Sequence, residues 1–119
     1  MQQFPVFLNL AGRTVVLVGE GEAAEAKARL VTRAGGRIVP AWEEGATIAF
    51  VALADDEAAR AAAAELRARG LLVNVVDRPE LCDFTTPAIV DRAPVTIAIG
   101  TGGASAGLAK AVRQRIEAL

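Results

Sequence analysis

Histidine is missing from this chain of 119 residues, and cysteine occurs once, as Cys82. The first absence excludes a histidine-based catalytic triad. Together they exclude zinc sites built on histidine or paired cysteines, and no metal-binding residues are expected. No disulfide can form within the chain, which fits a reducing cytosol. Cys82, between Leu81 and Asp83, reads as a small core residue rather than a reactive thiol. Aromatic residues make up only 4% of a chain that is 53% hydrophobic, so the core must be built from Ala, Val, Leu and Ile. Thirteen basic and fourteen acidic residues leave a net charge of −1. Such a balance provides no field that draws in nucleic acid or an anionic membrane, and neither is expected as a partner. The longest apolar run, residues 46–54, is far short of a membrane span. Met1 to Pro5 lacks the basic and apolar regions of a signal peptide, so a cytoplasmic location is expected.

Against these absences stands a glycine turn. Thr14 to Val18 is a continuous β-branched and leucine run, as expected for a buried parallel strand. It leads into Gly19-Glu20-Gly21-Glu22-Ala23-Ala24 and then a helical pattern. In a G-x-G-x-x-A turn the first glycine permits the tight bend and the second lets phosphates approach the backbone. The alanine lets the helix pack on the strand. Amide groups at such a helix start can hold a dinucleotide pyrophosphate. Gly19, Gly21, Glu22, Ala23 and Ala24 are therefore candidate cofactor-binding residues. The same pattern also suits a turn that only packs.

The rest of the chain alternates strands and helices. A helix is expected from Gly21 to about Ala34, stopped by Gly35-Gly36. A short strand follows at Arg37–Pro40, then a third at Thr47–Leu53. Asp55 is a candidate N-cap for a helix running to about Ala68. Leu71–Val76 reads as a fourth strand. Phe84–Val90 and Pro94–Ile99 read as two more, around Asp91-Arg92-Ala93. A final helix is expected to open at Thr101-Gly102-Gly103-Ala104-Ser105. This alternation predicts an α/β fold with a Rossmann-like, mostly parallel sheet, in one domain over residues 1–119. The joint between the second and third strands is short for a parallel crossover, which normally holds a helix. Either a bare loop carries the chain across, or the third strand is antiparallel. The bare loop is the preferred expectation.

Several stretches together resemble the N-terminal domain of siroheme synthase, in the precorrin-2 dehydrogenase and sirohydrochlorin ferrochelatase family. They are the arm Phe4-Pro5-Val6-Phe7-Leu8 and the turn and first helix from Val18 through Gly19, Gly21, Glu22, Ala24, Lys27, Arg29 and Leu30. Asn74-Val75-Val76-Asp77 is a family signature, as is the stretch from Phe84 through Pro87-Ala88-Ile89-Val90-Asp91-Arg92 to Pro94. Gly102-Gly103 with Ser105, followed by Leu108-Ala109, completes the set. The resemblance implies NAD-dependent oxidation of precorrin-2 to sirohydrochlorin, with iron insertion (Fe2+ as substrate) as a further activity, and a homodimer. It gives Asp77 the place of the catalytic aspartate, as acceptor of a proton at the end of the fourth strand. Without the resemblance, Asp77 reads as a turn-initiating residue before Arg78-Pro79.

Asn74, Thr101, Gly102 and Gly103 are the candidate substrate-binding residues, with Arg78, Arg92, Lys110 and Arg113 as cations near a polycarboxylate. Glu43, or its neighbour Glu44, is a candidate for the adenosine ribose; loop solvation is the plainer role. The chain departs from the family at three places. Glu20 stands where a glycine is usual, a strand and helix are missing between the second and third strands, and the family's C-terminal helical segment is absent. A non-catalytic relative that binds nucleotide or tetrapyrrole, or serves assembly, is the alternative that these departures raise.

Overall fold

A computed structural model describes residues 1–119. Four strands, β1 (Thr14–Gly19), β2 (Arg37–Val39), β3 (Ile48–Ala52) and β4 (Leu72–Val75), form one parallel sheet in the order β2-β1-β3-β4. Two helices, α1 (Glu22–Arg33) and α2 (Asp56–Ala68), cover it. Alternation along each strand sends side chains to opposite faces. Val15, Leu17, Ile48 and Phe50 pack with Ala24 and Val31 of α1. Val16, Ala49, Val51, Val73 and Val75 pack with Ala59, Ala63 and Leu66 of α2. The small alanines let α2 pack closely on the sheet in a core with few aromatics.

The helix ends follow from local chemistry. Asp55 caps α2, its carboxylate accepting the Ala58 amide at 2.8 Å, and Asp56 and Glu57 occupy the first turn. Both helices stop in the same way. Gly35 and Gly70 take positive φ, the Gly36 amide donates to Val31 and the Leu71 amide donates to Leu66. These bonds satisfy carbonyls that the last helical turn leaves open.

β3 is parallel to β1, with Val15 beside Ile48 and Gly19 beside Ala52. The joint from β2 to β3 is thus a bare loop, Pro40–Thr47, and the sheet is shortened there. Ala46 from the loop is buried against the α2 face. The Arg69 guanidinium lies 4.1 Å from the Trp42 ring centroid and anchors the loop's outer part.

After β4 the chain turns, makes a short 3-10 turn at Pro79–Leu81, and runs back beside the strand. Asp83 donates its amide to Val73 O (2.7 Å), while its carboxylate accepts the Val73 amide (2.9 Å). The Cys82 thiol accepts from the Val75 amide and donates to Val75 O, both at 3.2 Å. Arg67 of α2 pairs with Asp83 and donates to Leu81 O. Side chains thereby pair the backbone groups that an edge strand would leave open. Cys82 is half-buried and its work is at this edge, more specific than core filling.

The contacts divide the chain into two units, Phe7–Phe84 and Met1–Val6 with Thr85–Leu119. The second holds an antiparallel hairpin, β5 (Ala88–Arg92) and β6 (Val95–Ile99), and the helix α3 (Ala106–Glu117). The expected strand boundaries are corrected here. β5 starts four residues later than Phe84 and runs through Asp91 and Arg92, leaving Ala93-Pro94 as the turn. Phe84 is held elsewhere, its ring edge-on to Phe50 at 5.5 Å and its carbonyl accepting the Asn74 amide. Pro87 has no amide to donate to a ladder. α3 starts at Ala106 because Ser105 caps it, accepting the Leu108 amide at 3.0 Å. No helix is long and apolar enough to cross a membrane.

If the Asp83 carboxylate covers the β4 edge, Asp83→Ala should lower unfolding stability by about 1–3 kcal/mol, because a half-buried amide loses its partner. Urea denaturation followed by circular dichroism measures this.

Candidate active site

The carboxyl ends of β1, β3 and β4 open onto one cleft of about 440 Å³. The glycine turn contributes Glu20, Glu22 and Ala23, the end of β3 Ala52–Ala54, and the end of β4 Val76–Arg78. This is where open parallel sheets bind ligands.

The turn needs its glycines. Gly19 has φ +120°, and a Cβ built there would lie 2.1 Å from Ala52 O. β1 and β3 can end side by side only if this residue has no side chain. Gly21 has φ +99° and open space where a Cβ would stand. It starts α1 with no side-chain cap. The first amides of α1, from Glu22, Ala23 and Ala24, therefore lack helical partners and side-chain acceptors. Ala24 is buried against the sheet. Two carboxylates, Glu20 and Glu22, share the cleft wall.

Asp77 sits in a turn closed by the Arg78 amide donating to Val75 O at 3.2 Å. Its φ of +63° makes it the single non-glycine residue in the left-handed region. Aspartate tolerates that region better than most residues, and such conformations cluster at functional sites. Next to it, the Arg78 side chain is only 17% exposed and is bound to Leu53 O, Ala54 O and Asp56. Those bonds use the cation that the sequence offered to a polycarboxylate.

The remaining expected site residues are placed as follows. Asn74 is buried on β4, and its amide donates to Phe84 O at 2.8 Å. Glu43 pairs with Arg37, whose guanidinium also reaches Thr14. Thr14 and Arg37 begin their strands, so Glu43 stands at the amino end of the sheet, opposite the cleft. Thr101, Gly102 and Gly103 lie in the other unit, in the turn before α3. There the Thr101 hydroxyl accepts the Ser105 amide and donates to Ser105 O, and both glycines have positive φ. Arg92 reaches Glu117 O, and Arg113 pairs with Glu117.

Sequence reasoning gave no site role to Lys27, named only within the resemblance, or to Asp56. Lys27 lies one turn after Ala23, with its ammonium 5.8 Å from the Phe50 ring centroid. Burial pushes its pKa down, and Cys82 and Asp77 act in the opposite direction. The hydrogen bond from Arg60, then that from Arg78, holds the Asp56 carboxyl below its ordinary range. Helical spacing, Ala23 to Lys27 and Asp56 to Arg60, was the signal available for both.

A parallel sheet with an uncapped glycine turn and an acidic residue at the β4 end defines the class: a Rossmann-like α/β unit of the nucleotide-binding kind. Comparison with known proteins narrows it. A family model described as "Putative NAD(P)-binding" matches residues 36–88. Siroheme synthase of Chromobacterium violaceum is 38% identical over 146 aligned positions that cover all of this chain. That of Stutzerimonas stutzeri is 39% identical over 144 positions covering 98% of it. The chain spans 31% of the length of each. Both alignments are longer than this 119-residue chain, so the relatives carry residues with no counterpart here. A solved structure of SirC, precorrin-2 dehydrogenase, shares the fold with a TM-score of 0.75 at 22% identity, covering 98% of this chain and 70% of that one. The chain belongs to the siroheme synthase family.

Gly19→Ala should destabilise the fold by more than about 1 kcal/mol, since both φ and the Ala52 carbonyl oppose a side chain; thermal melting reads this out. Asp56 has a depressed folded pKa, so its contribution is present above the ordinary value of 3.8 and lost as pH falls through the folded value. Asp56→Asn should therefore melt below wild type at pH 7, with the two curves converging in acid.

Proposed function

We propose that this chain carries out NAD-dependent oxidation of precorrin-2 to sirohydrochlorin, with residues 1–119 working as one nucleotide-binding domain. The observation that carries this reading is Asp77, a carboxylate in the left-handed region that lines the same cleft as the glycine turn. The turn fits a dinucleotide, because uncapped amides adjoin open space at Gly21. NAD+, when bound, supplies the hydride acceptor. The amides of Glu22, Ala23 and Ala24 would hold its pyrophosphate, and the absence of a side chain at Gly21 would let it approach. Oxidation takes a hydride and a proton from the macrocycle. The hydride leaves with both electrons of its C–H bond, and the Asp77 carboxylate receives the proton.

Within its own unit, the Thr101–Gly103 turn before α3 is a proposed carboxylate-binding element, with Lys110 of α3 as a cation; within the other, Asn74 holds the Phe84 segment. The same aspartate could take pyrrole N–H protons during Fe2+ insertion, a second activity of this proposal. Exposed Phe4, Phe7, Leu108 and Val112 support a homodimer. The single cysteine supports a place in the reducing cytosol.

A second reading has its own support. Glu20 and Glu22 place negative charge in the cleft, and Glu43, the ribose candidate, is paired with Arg37 at the sheet's other end. Negative charge in the cleft opposes a bound pyrophosphate, which favours a non-catalytic relative.

Mixing the chain with NAD+ and precorrin-2 should raise sirohydrochlorin absorbance. Asp77→Ala should lower kcat by about 10²-fold or more, within the range for a general base, while leaving NAD+ affinity within about twofold. Tetrapyrrole binding with no turnover by folded wild-type protein would establish the second reading instead.

A further inference from the structure

Arg78 is the most heavily engaged side chain around the cleft. Its Nε donates to Asp56 Oδ1 at 2.9 Å, its Nη1 to Leu53 O at 3.1 Å and its Nη2 to Ala54 O at 3.0 Å. Its main chain is as busy. The amide closes the Asp77 turn on Val75 O, and the carbonyl accepts from the Leu81 amide, with the Cys82 sulfur 3.4 Å away. One residue, adjacent to Asp77 in the chain, thus joins the β4 turn to the loop between β3 and α2. That loop and that turn are two walls of the same cleft.

The chemistry of the side chain matters as much as its charge. Two carbonyls and a carboxylate are met by donors fixed in one plane, an arrangement that a lysine ammonium on a flexible stem cannot reproduce. Leu53 and Ala54 stand between the end of β3 and the Asp55 cap, where neither belongs to a strand or a helix. Without the guanidinium, their carbonyls have no other side chain to hold them to the turn.

We propose that Arg78 is a positioning residue that fixes the cofactor-side wall, Leu53–Ala54, to the turn that presents Asp77, so that both keep one geometry during turnover. The catalytic part of this proposal rests on the dehydrogenase reading above. The tie between loop and turn does not.

The test uses the 119-residue chain as wild type, Arg78→Ala, Arg78→Lys and Asp56→Asn. Amide hydrogen exchange reads the tie directly. Protection at Ala58 and Ala59, which bond to Asp55, and at Arg78 and Leu81 should fall together by about tenfold or more in Arg78→Ala, while the β1 and β3 core amides keep theirs. Unchanged protection at either segment overturns the proposal, whether or not the protein proves to be an enzyme. In turnover, Arg78→Ala should lower kcat by about tenfold and raise the NAD+ dissociation constant about fivefold, with KM for precorrin-2 unchanged, as expected for misplaced groups. Ethylguanidinium should restore part of the lost kcat. A loss that only tracks the unfolded fraction, with no change in NAD+ affinity and no rescue, overturns it. If Arg78→Ala does not fold, Arg78→Lys decides by the same readouts, because it keeps charge and loses the fork. Asp56→Asn keeps both carbonyl bonds and should stay within about twofold of wild type in kcat. Absence of NAD+ binding by wild type would count against the dehydrogenase reading alone, leaving the exchange data to judge the tie.

Discussion

The parallel pairing of β1 with β3 is the constraint on which this molecule depends. It brings Gly19 beside Ala52, so close that a methyl group at Gly19 would overlap the Ala52 carbonyl. Because both strands end there together, the glycine turn and the loop after β3 face one space. β4, paired in turn with β3, delivers Asp77 to the same end. Two faces of apolar side chains follow from that pairing, one for α1 and one for α2. The absence of a helix between β2 and β3 narrows the sheet without disturbing this arrangement. A buried alanine and an arginine stacked on Trp42 hold the replacement loop.

The edge of β4 is closed by unusual means. A thiol and a carboxylate, from Cys82 and Asp83, act as hydrogen-bond partners for its backbone. That return segment also carries Arg78, so closing the edge and shaping the cleft are the same local event. Phe84, at its far end, docks on Phe50, beside which Lys27 places its ammonium. A short stretch after β4 therefore links sheet stability to the surroundings of Asp77.

Much of this was legible in the residues. The β-branched runs marked β1 and β3, glycines marked both helix ends, and Asp55 marked the start of α2, because each reflects a local preference. The strand boundaries around Phe84 were not legible. An apolar run before Val90 looks like a strand, yet Phe84 is claimed by the distant Phe50 ring and by the Asn74 side-chain amide across the turn. Glu43 reads as a ribose carboxylate only while β2 is assumed to deliver it to the cleft. A loop that returns to the amino end of the sheet puts it beside Arg37 instead. Arg78 offered a free cation on paper, and three acceptors claim its guanidinium in space.

Composition alone determined what chemistry is excluded. Without histidine and with one cysteine, neither a histidine triad nor a zinc site of histidine or paired cysteines can be built here. Local pattern determined the α/β alternation and the glycine turn, since period, propensity and φ preference act over a few residues. The direction of β3 needed tertiary structure, because a short joint permits either pairing until both faces of the strand are buried. The company of Asp77 needed it too. Which carbonyls an arginine meets, and which carboxylate stays in the cleft, depends on segments that are distant in sequence and adjacent only once the sheet has formed.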